Sequence, residues 1–157
     1  MKTYNILSIQ EFKTIIGDNS RLLGIDPGKT NVGIAICDEN KKVATPIKII
    51  KKKKLVSLVD EINKIINDNH IKGIVIGNPI NMDGSVGKSS KSALEFAKNL
   101  SKNIRIPIVL WDERLSSAGA FKITSFLGDN VTNRVKNLDK NAAAFILQGA
   151  IDYLNIN

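Results

Sequence analysis

The sequence predicts an α/β domain, with a mixed five-stranded sheet covered by helices on both faces. Three observations predict it. Three short apolar runs near the start are separated only by turn-type segments, which suits antiparallel strands. Two later apolar runs alternate with stretches whose apolar residues recur at helical spacing, which suits parallel crossover strands. The length of 157 residues is that of one domain able to bury a single core.

The elements follow in order. Residues 1–21 read as an N-terminal helical extension, and residues 22–157 as the domain proper. In the extension, Ser8 and Glu11 have capping-box spacing, and Ile9, Phe12, Ile15 and Ile16 form one apolar face ended near Gly17. A helix packed on the domain surface is the expectation, in preference to a partner-binding helix. Strands are expected at 22–26, 32–37 and 43–50, joined by Pro27-Gly28-Lys29-Thr30-Asn31 and by a polar turn at 38–42. Leu55, Val59, Ile62, Ile65 and Ile66 then mark a helix over 53–69, with His70 at its end. A strand at 71–77, a helix at 89–103 carrying Ala93, Phe96, Ala97 and Leu100, and a strand at 106–111 come next. A helix over 116–127, a polar loop and a last helix over 139–154 complete the chain.

Composition removes several functions. Cys37 is the sole cysteine and His70 the sole histidine, so disulfide frameworks and cysteine- or histidine-rich metal sites are excluded. No apolar run approaches the roughly 20 residues that cross a bilayer. No secretory-type or mitochondrial leader is evident, and a cytoplasmic protein is expected. The net charge is +8, but 19 of the 23 basic residues are lysine. Lysine, isoleucine and asparagine share A/T-rich codons, so charge alone does not single out a polyanionic partner. The lysine run at 51–54 reads as a solvated turn in preference to a binding patch.

The carboxylates are more informative. Asp26 ends the first strand and precedes a Pro-Gly turn, where a buried acid needs a cation or a hydrogen-bonding role in the turn. Neither Gly28-Lys29-Thr30 nor Gly87-Lys88-Ser89 completes a phosphate-binding P-loop, because Leu23 and Met82 stand where its first glycine must be. Trp111-Asp112-Glu113-Arg114 follows a strand, the place where α/β sheets hold ligands, though acids are also ordinary in such loops. Asp139 has the position of a helix cap, but Ala142, Ala143 and Ala144 behind it would let that helix approach the sheet closely. Three acids from separate segments make an oxygen donor set suited to Mg²⁺ or Mn²⁺. The loop from Gly77 to Ser85 is shaped to present backbone N–H groups to a phosphate, with Asp83 as a turn residue.

Four motifs carry a resemblance. Gly24-Ile25-Asp26-Pro27-Gly28-Lys29-Thr30-Asn31-Val32-Gly33-Ile34-Ala35, Gly77-Asn78-Pro79-Ile80-Asn81-Met82-Asp83-Gly84-Ser85, Trp111-Asp112-Glu113-Arg114-Leu115-Ser116 and Leu138-Asp139-Lys140-Asn141-Ala142-Ala143-Ala144-Phe145-Ile146-Leu147-Gln148 resemble, in order, the motifs of the YqgF family. Its members are also called RuvX, pre-16S rRNA nucleases or Holliday junction resolvase-like proteins. The resemblance covers residues 22–154. It implies a ribonuclease H-like fold, a cytoplasmic bacterial protein and maturation of the 5′ end of 16S ribosomal RNA. It also puts the family's acids on Asp26, Glu113 and Asp139. Pro27 stands where members often have an aliphatic or aromatic residue, and Asn78 where Leu is usual; neither change removes an acid.

The expected activity is therefore metal-dependent phosphodiester hydrolysis. One or two Mg²⁺ ions (or Mn²⁺) held by Asp26, Glu113 and Asp139 would activate water and stabilise the leaving 3′ oxygen. Lys29, Lys88, Arg114, Arg134 and Lys136 flank these motifs and would contact phosphates. Eight aromatic residues leave little scope for base stacking, so recognition by shape and backbone is expected. Precursor rRNA is the expected partner, with the ribosomal particle and branched DNA as further candidates, and the sequence leaves monomer and homodimer open. Two other readings are an actin-like phosphate loop, which needs a second domain, and a nucleic-acid-binding module without turnover.

Overall fold

The structure, a computed structural model, describes residues 5–52, 54–79, 83–85, 87–115 and 142–156. The expected helix over 116–127, together with Arg134, Lys136 and Asp139, lies outside the described residues.

Among the described residues the sheet has six strands, in the order β1-β6-β5-β2-β3-β4. The central strand is β2 (Arg21–Pro27), whose Leu22, Leu23, Gly24 and Ile25 are all buried, as a strand covered on both faces requires. It pairs antiparallel with β3 (Asn31–Cys37), which pairs antiparallel with the edge strand β4 (Ala44–Lys51). On its other side β2 pairs parallel with β5 (Ile71–Asn78), and β5 with β6 (Ile108–Asp112). Strands β2, β4, β5 and β6 therefore all end on one rim.

The sixth strand corrects the expected five. Ile6–Leu7, here β1, pairs parallel with Ile108 and Val109 of β6. Two residues are too few to show a sequence period, and the pairing is set by a distant contact. The Ile108 amide donates to the Asn5 carbonyl at 2.8 Å, while Asn5 Nδ2 donates to the carbonyls of Ile104, at 2.8 Å, and Ile106.

Among the described residues four helices cover the sheet. Helix α1 (Ile9–Ile16) starts with the capping box: the Glu11 amide donates to Ser8 Oγ and the Ser8 amide to Glu11 Oε1, both at 3.2 Å. Its Phe12 is fully buried against Gly73 of β5, where a Cβ would come within 2.7 Å of the ring. Helix α2 (Leu55–Asn69) ends at His70, which adopts the left-handed conformation (φ 54°). With α3 (Lys88–Ser101) it encloses one core layer, in which Ile62, Phe96 and Leu100 meet Leu23, Ile25, Ile34 and Ile76. Helix α4 (Ala142–Leu154) and α1 enclose the other, with Ile146, Leu147 and Ile151 against Leu22, Val75 and Trp111. Among the described residues no helix is long and apolar enough to cross a membrane.

Candidate functional site

Asp26 lies at the C-terminal end of β2, and Glu113 follows β6 on the same rim; β5 separates the two strands. The gap is closed by a glycine. A Cβ at Gly77 of β5 would stand 2.8 Å from Glu113 Oε2 and 2.5 Å from Ile146 Cδ1 of α4, so only a bare backbone lets the carboxylate fold across β5. On the other side of Asp26, Gly33 of β3 is its pairing partner. A Cβ there would lie 3.6 Å from Asp26 Cβ and 3.5 Å from Ala143 Cβ, which places the first turn of α4 at the same spot. The close approach expected of the three alanines is thus observed, and it continues at Gly24, where a Cβ would meet Leu147 Cβ at 2.7 Å and the Ala143 carbonyl at 3.0 Å.

Both acids are pushed toward protonation. Burial raises the pKa of Asp26. Glu113 is raised from 4.5 to about 7, first by burial, then by the negative fields of Asp26 and Asp112. Two partly buried carboxylates that repel one another, with no ion pair to Asp26 among the described residues, form a hard oxygen donor set for which a divalent cation is the natural counter-charge. Among the described residues no group of three metal-ligating side chains assembles. The acid expected to be third, Asp139, lies outside them, three residues before α4 begins.

The neighbouring acid behaves differently. Asp112 is held below the ordinary carboxylate range, chiefly by the Arg114 side chain, which donates from Nη2 at 2.7 Å and from Nε at 3.1 Å. Arg114 therefore serves its own loop, whatever it gives to a phosphate. Its Nη1 approaches the turn at Gly84 (φ 90°), where the Ser85 amide and hydroxyl donate to Asp83 at 2.9 and 2.7 Å. Asp83 is a turn residue, as expected. Lys29 is exposed in the β2–β3 turn, and Lys88 is exposed in the first turn of α3. Asn78 accepts a 2.6 Å hydrogen bond from Ser90 Oγ and ties the end of β5 to α3. The roles of Gly77 and of the Asn78–Ser90 bond escaped sequence reasoning; the only signal was a glycine and an asparagine closing an otherwise apolar strand.

Comparison with solved structures identifies the class. RuvC of T. thermophilus, solved in complex with a Holliday junction substrate, superposes with a TM-score of 0.56 at 12% identity, covering 87% of this chain and 97% of its own. The yeast mitochondrial Holliday junction resolvase Ydc2 gives 0.52 at 13% identity, covering 94% and 84%. The fold is therefore the ribonuclease H-like fold of these resolvases. The profile of the family described as "RuvX: Holliday junction resolvase" matches residues 20–153, and the chain belongs to that family. A protein of Pelagibacter ubique named "Putative pre-16S rRNA nuclease" is 51% identical over 150 residues, covering 96% of this chain and 99% of its own. One of the same name from Ruegeria pomeroyi is 39% identical over 147 residues, covering 94% and 96%.

Proposed function

We propose that this protein is a cytoplasmic, metal-dependent nuclease that hydrolyses phosphodiester bonds during 5′-end maturation of pre-16S ribosomal RNA. The observation that carries this is the convergence of Asp26 and Glu113 across Gly77, in a family with curated relatives named "Putative pre-16S rRNA nuclease". Asp26, Glu113 and Asp139 are the residues that hold Mg²⁺ or Mn²⁺. When bound, the cation supplies Lewis acidity, lowering the pKa of the attacking water and offsetting charge on the departing 3′ oxygen.

The chain's own groups do the rest. Ile146 and the β5 backbone shield one side of the Glu113 carboxylate from water, which strengthens its hold on a cation. Asp112 stays paired with Arg114 and so keeps out of the donor set. Lys29, Lys88, Arg114, Arg134 and Lys136 bind phosphates of the substrate, and the ribosomal particle is the setting in which precursor rRNA is met.

The test uses Asp26→Asn, Glu113→Gln and Asp139→Asn, each assayed with Mg²⁺ on a precursor 16S transcript beside a four-way DNA junction. Each change is expected to lower cleavage by about a hundredfold or more while RNA binding persists. Unchanged cleavage in all three overturns the assignment. Cleavage of the junction alone moves the substrate from RNA to DNA.

A further inference from the structure

The lysine run at 51–54 looks like a solvated turn in the sequence, but the sheet register places Lys51 on the acid-bearing rim. Asp26 pairs with Gly33, Gly33 pairs with Ile49, and Lys51 pairs with Asn31. Lys51 thus lies two strands across from Asp26 and two residues further out, on the order of 12 Å between backbones at ordinary sheet spacings. Strand alternation puts its side chain on the face that carries Asp26.

The residues after it are anchored there. The Lys52 amide donates to the Thr30 carbonyl at 2.8 Å, beside Lys29, and its ammonium sits 5.5 Å from the centre of the Phe96 ring. Lys54 opens α2. Lys29, Lys51, Lys52 and Lys54 are all exposed, and none has an ion pair among the described residues. Lys48, further back on the same strand, is by contrast paired with Glu61 at 3.7 Å. Helices α2 and α3 start on this rim with neither a side-chain cap nor an acidic residue in the first turn, which adds to the positive field. An open groove of about 370 Å³ runs from Gly33 and Ala143, next to Asp26, to Ile47 and Ile49 of β4.

We infer that β4 and lysines 51, 52 and 54 form a track for the nucleic-acid strand leaving the acid pair, with the lysines on backbone phosphates and the groove against a base or sugar. This rests on nucleic acid being the substrate, as proposed above. A polyanion is the one occupant that suits four unneutralised ammonium groups leading away from a phosphodiester-cleaving centre. Nothing in the track reads base edges, so RNA and DNA backbones share the chemistry.

The experiment is binding in EDTA, where no cleavage interferes, by fluorescence anisotropy. The probes are a labelled RNA hairpin with a single-stranded 5′ tail and a labelled four-way DNA junction, titrated at several salt concentrations. K51Q/K52Q/K54Q is compared with the charge-matched K64Q/K72Q/K102Q, in which Lys72 and Lys102 occupy the opposite rim and Lys64 the exposed side of α2. The rim triple is expected to bind about tenfold more weakly or worse, with the slope of log K against log salt reduced by about 2. The control triple should stay within about threefold of the parent, since only the general field changes. Equal losses in both triples, or no loss in the rim triple, overturn the track. Loss on RNA alone assigns the track to RNA, and loss on both assigns it to the shared backbone. K51Q/K54Q preserves the Lys52–Phe96 contact and supplies the result if the triple is unstable. Because no catalysis is read, absence of cleavage by the parent protein would remove the nuclease assignment and leave this one standing.

Discussion

Replacing Glu113 with Gln should stabilise the metal-free protein, increasingly as pH rises from about 4.5 to about 7 and in full above that. The folded protein holds the Glu113 proton up to about pH 7, against an ordinary value of 4.5, because burial and then the charges of Asp26 and Asp112 oppose ionisation. A carboxyl raised in this way favours the folded state fully below its unfolded value. That favour is lost as pH rises through the folded value. At 1.36 kcal/mol for each tenfold step in the equilibrium, the ceiling on the loss is about 3 kcal/mol. The group is partly solvated, so screening reduces this to about 1–2 kcal/mol. Gln keeps the shape and removes the charge. Melts in EDTA should give parent and variant equal stability at pH 4.5. At pH 8.5 the variant should lead by about 1–2 kcal/mol, or about 3–6 °C for a chain of this size. Added Mg²⁺ should raise the parent's midpoint more than the variant's, since binding to the folded state is linked to its stability. A difference that does not change with pH, or a variant less stable at pH 8.5, would refute the reasoning.

Two further changes test the packing that brings the acids together. Gly24→Ala would drive a methyl into Leu147 Cβ and the Ala143 carbonyl, costing about 1–3 kcal/mol in urea denaturation. Since Ala143 also touches the Asp26–Gly33 pair, cleavage should fall at temperatures where the variant is still folded. Phe12→Ala removes a fully buried ring from between α1 and β5 and should cost about 3–5 kcal/mol by the same measurement. A loss under about 1 kcal/mol would mean that α1 is not part of the core.

The legible parts of the fold were those written in local pattern. The hairpin strands announced themselves by apolar runs broken at Pro27-Gly28 and at Asp38, and α2 and α3 by apolar spacing, with His70 closing α2 and α3 ending at Ser101, two residues short of the expected Asn103. Asp26 and Glu113 stood out because each closes an apolar run, where a charge is costly. What stayed hidden depends on partners far away in the chain. β1 exists through Asn5 meeting residues about a hundred positions later. Gly77 matters only because Glu113 and Ile146 arrive over it from two other elements. The lysine run was undervalued for the same reason, since its distance from Asp26 is a property of the β2–β3–β4 register and not of the order of residues. Arg114 has a partner that its sequence position does not announce: Asp112, two residues away, accepts from two of its nitrogens.

The pairing of β1 with β6 also imposes an order on synthesis. Ile6 and Leu7 are translated about a hundred residues before their partners Ile108 and Val109. At roughly 5–20 residues per second, that is a wait on the order of 5–20 s. An eight-residue helix such as α1 is marginal by itself, even with its capping box, so Phe12 has no packing partner at least until Gly73 of β5 has been made. The hairpin strands and α2 have their partners close by in the chain and can assemble meanwhile. Ile6 and Leu7 therefore dock late, and their docking covers the edge of β6 that would otherwise be open to pairing with another chain.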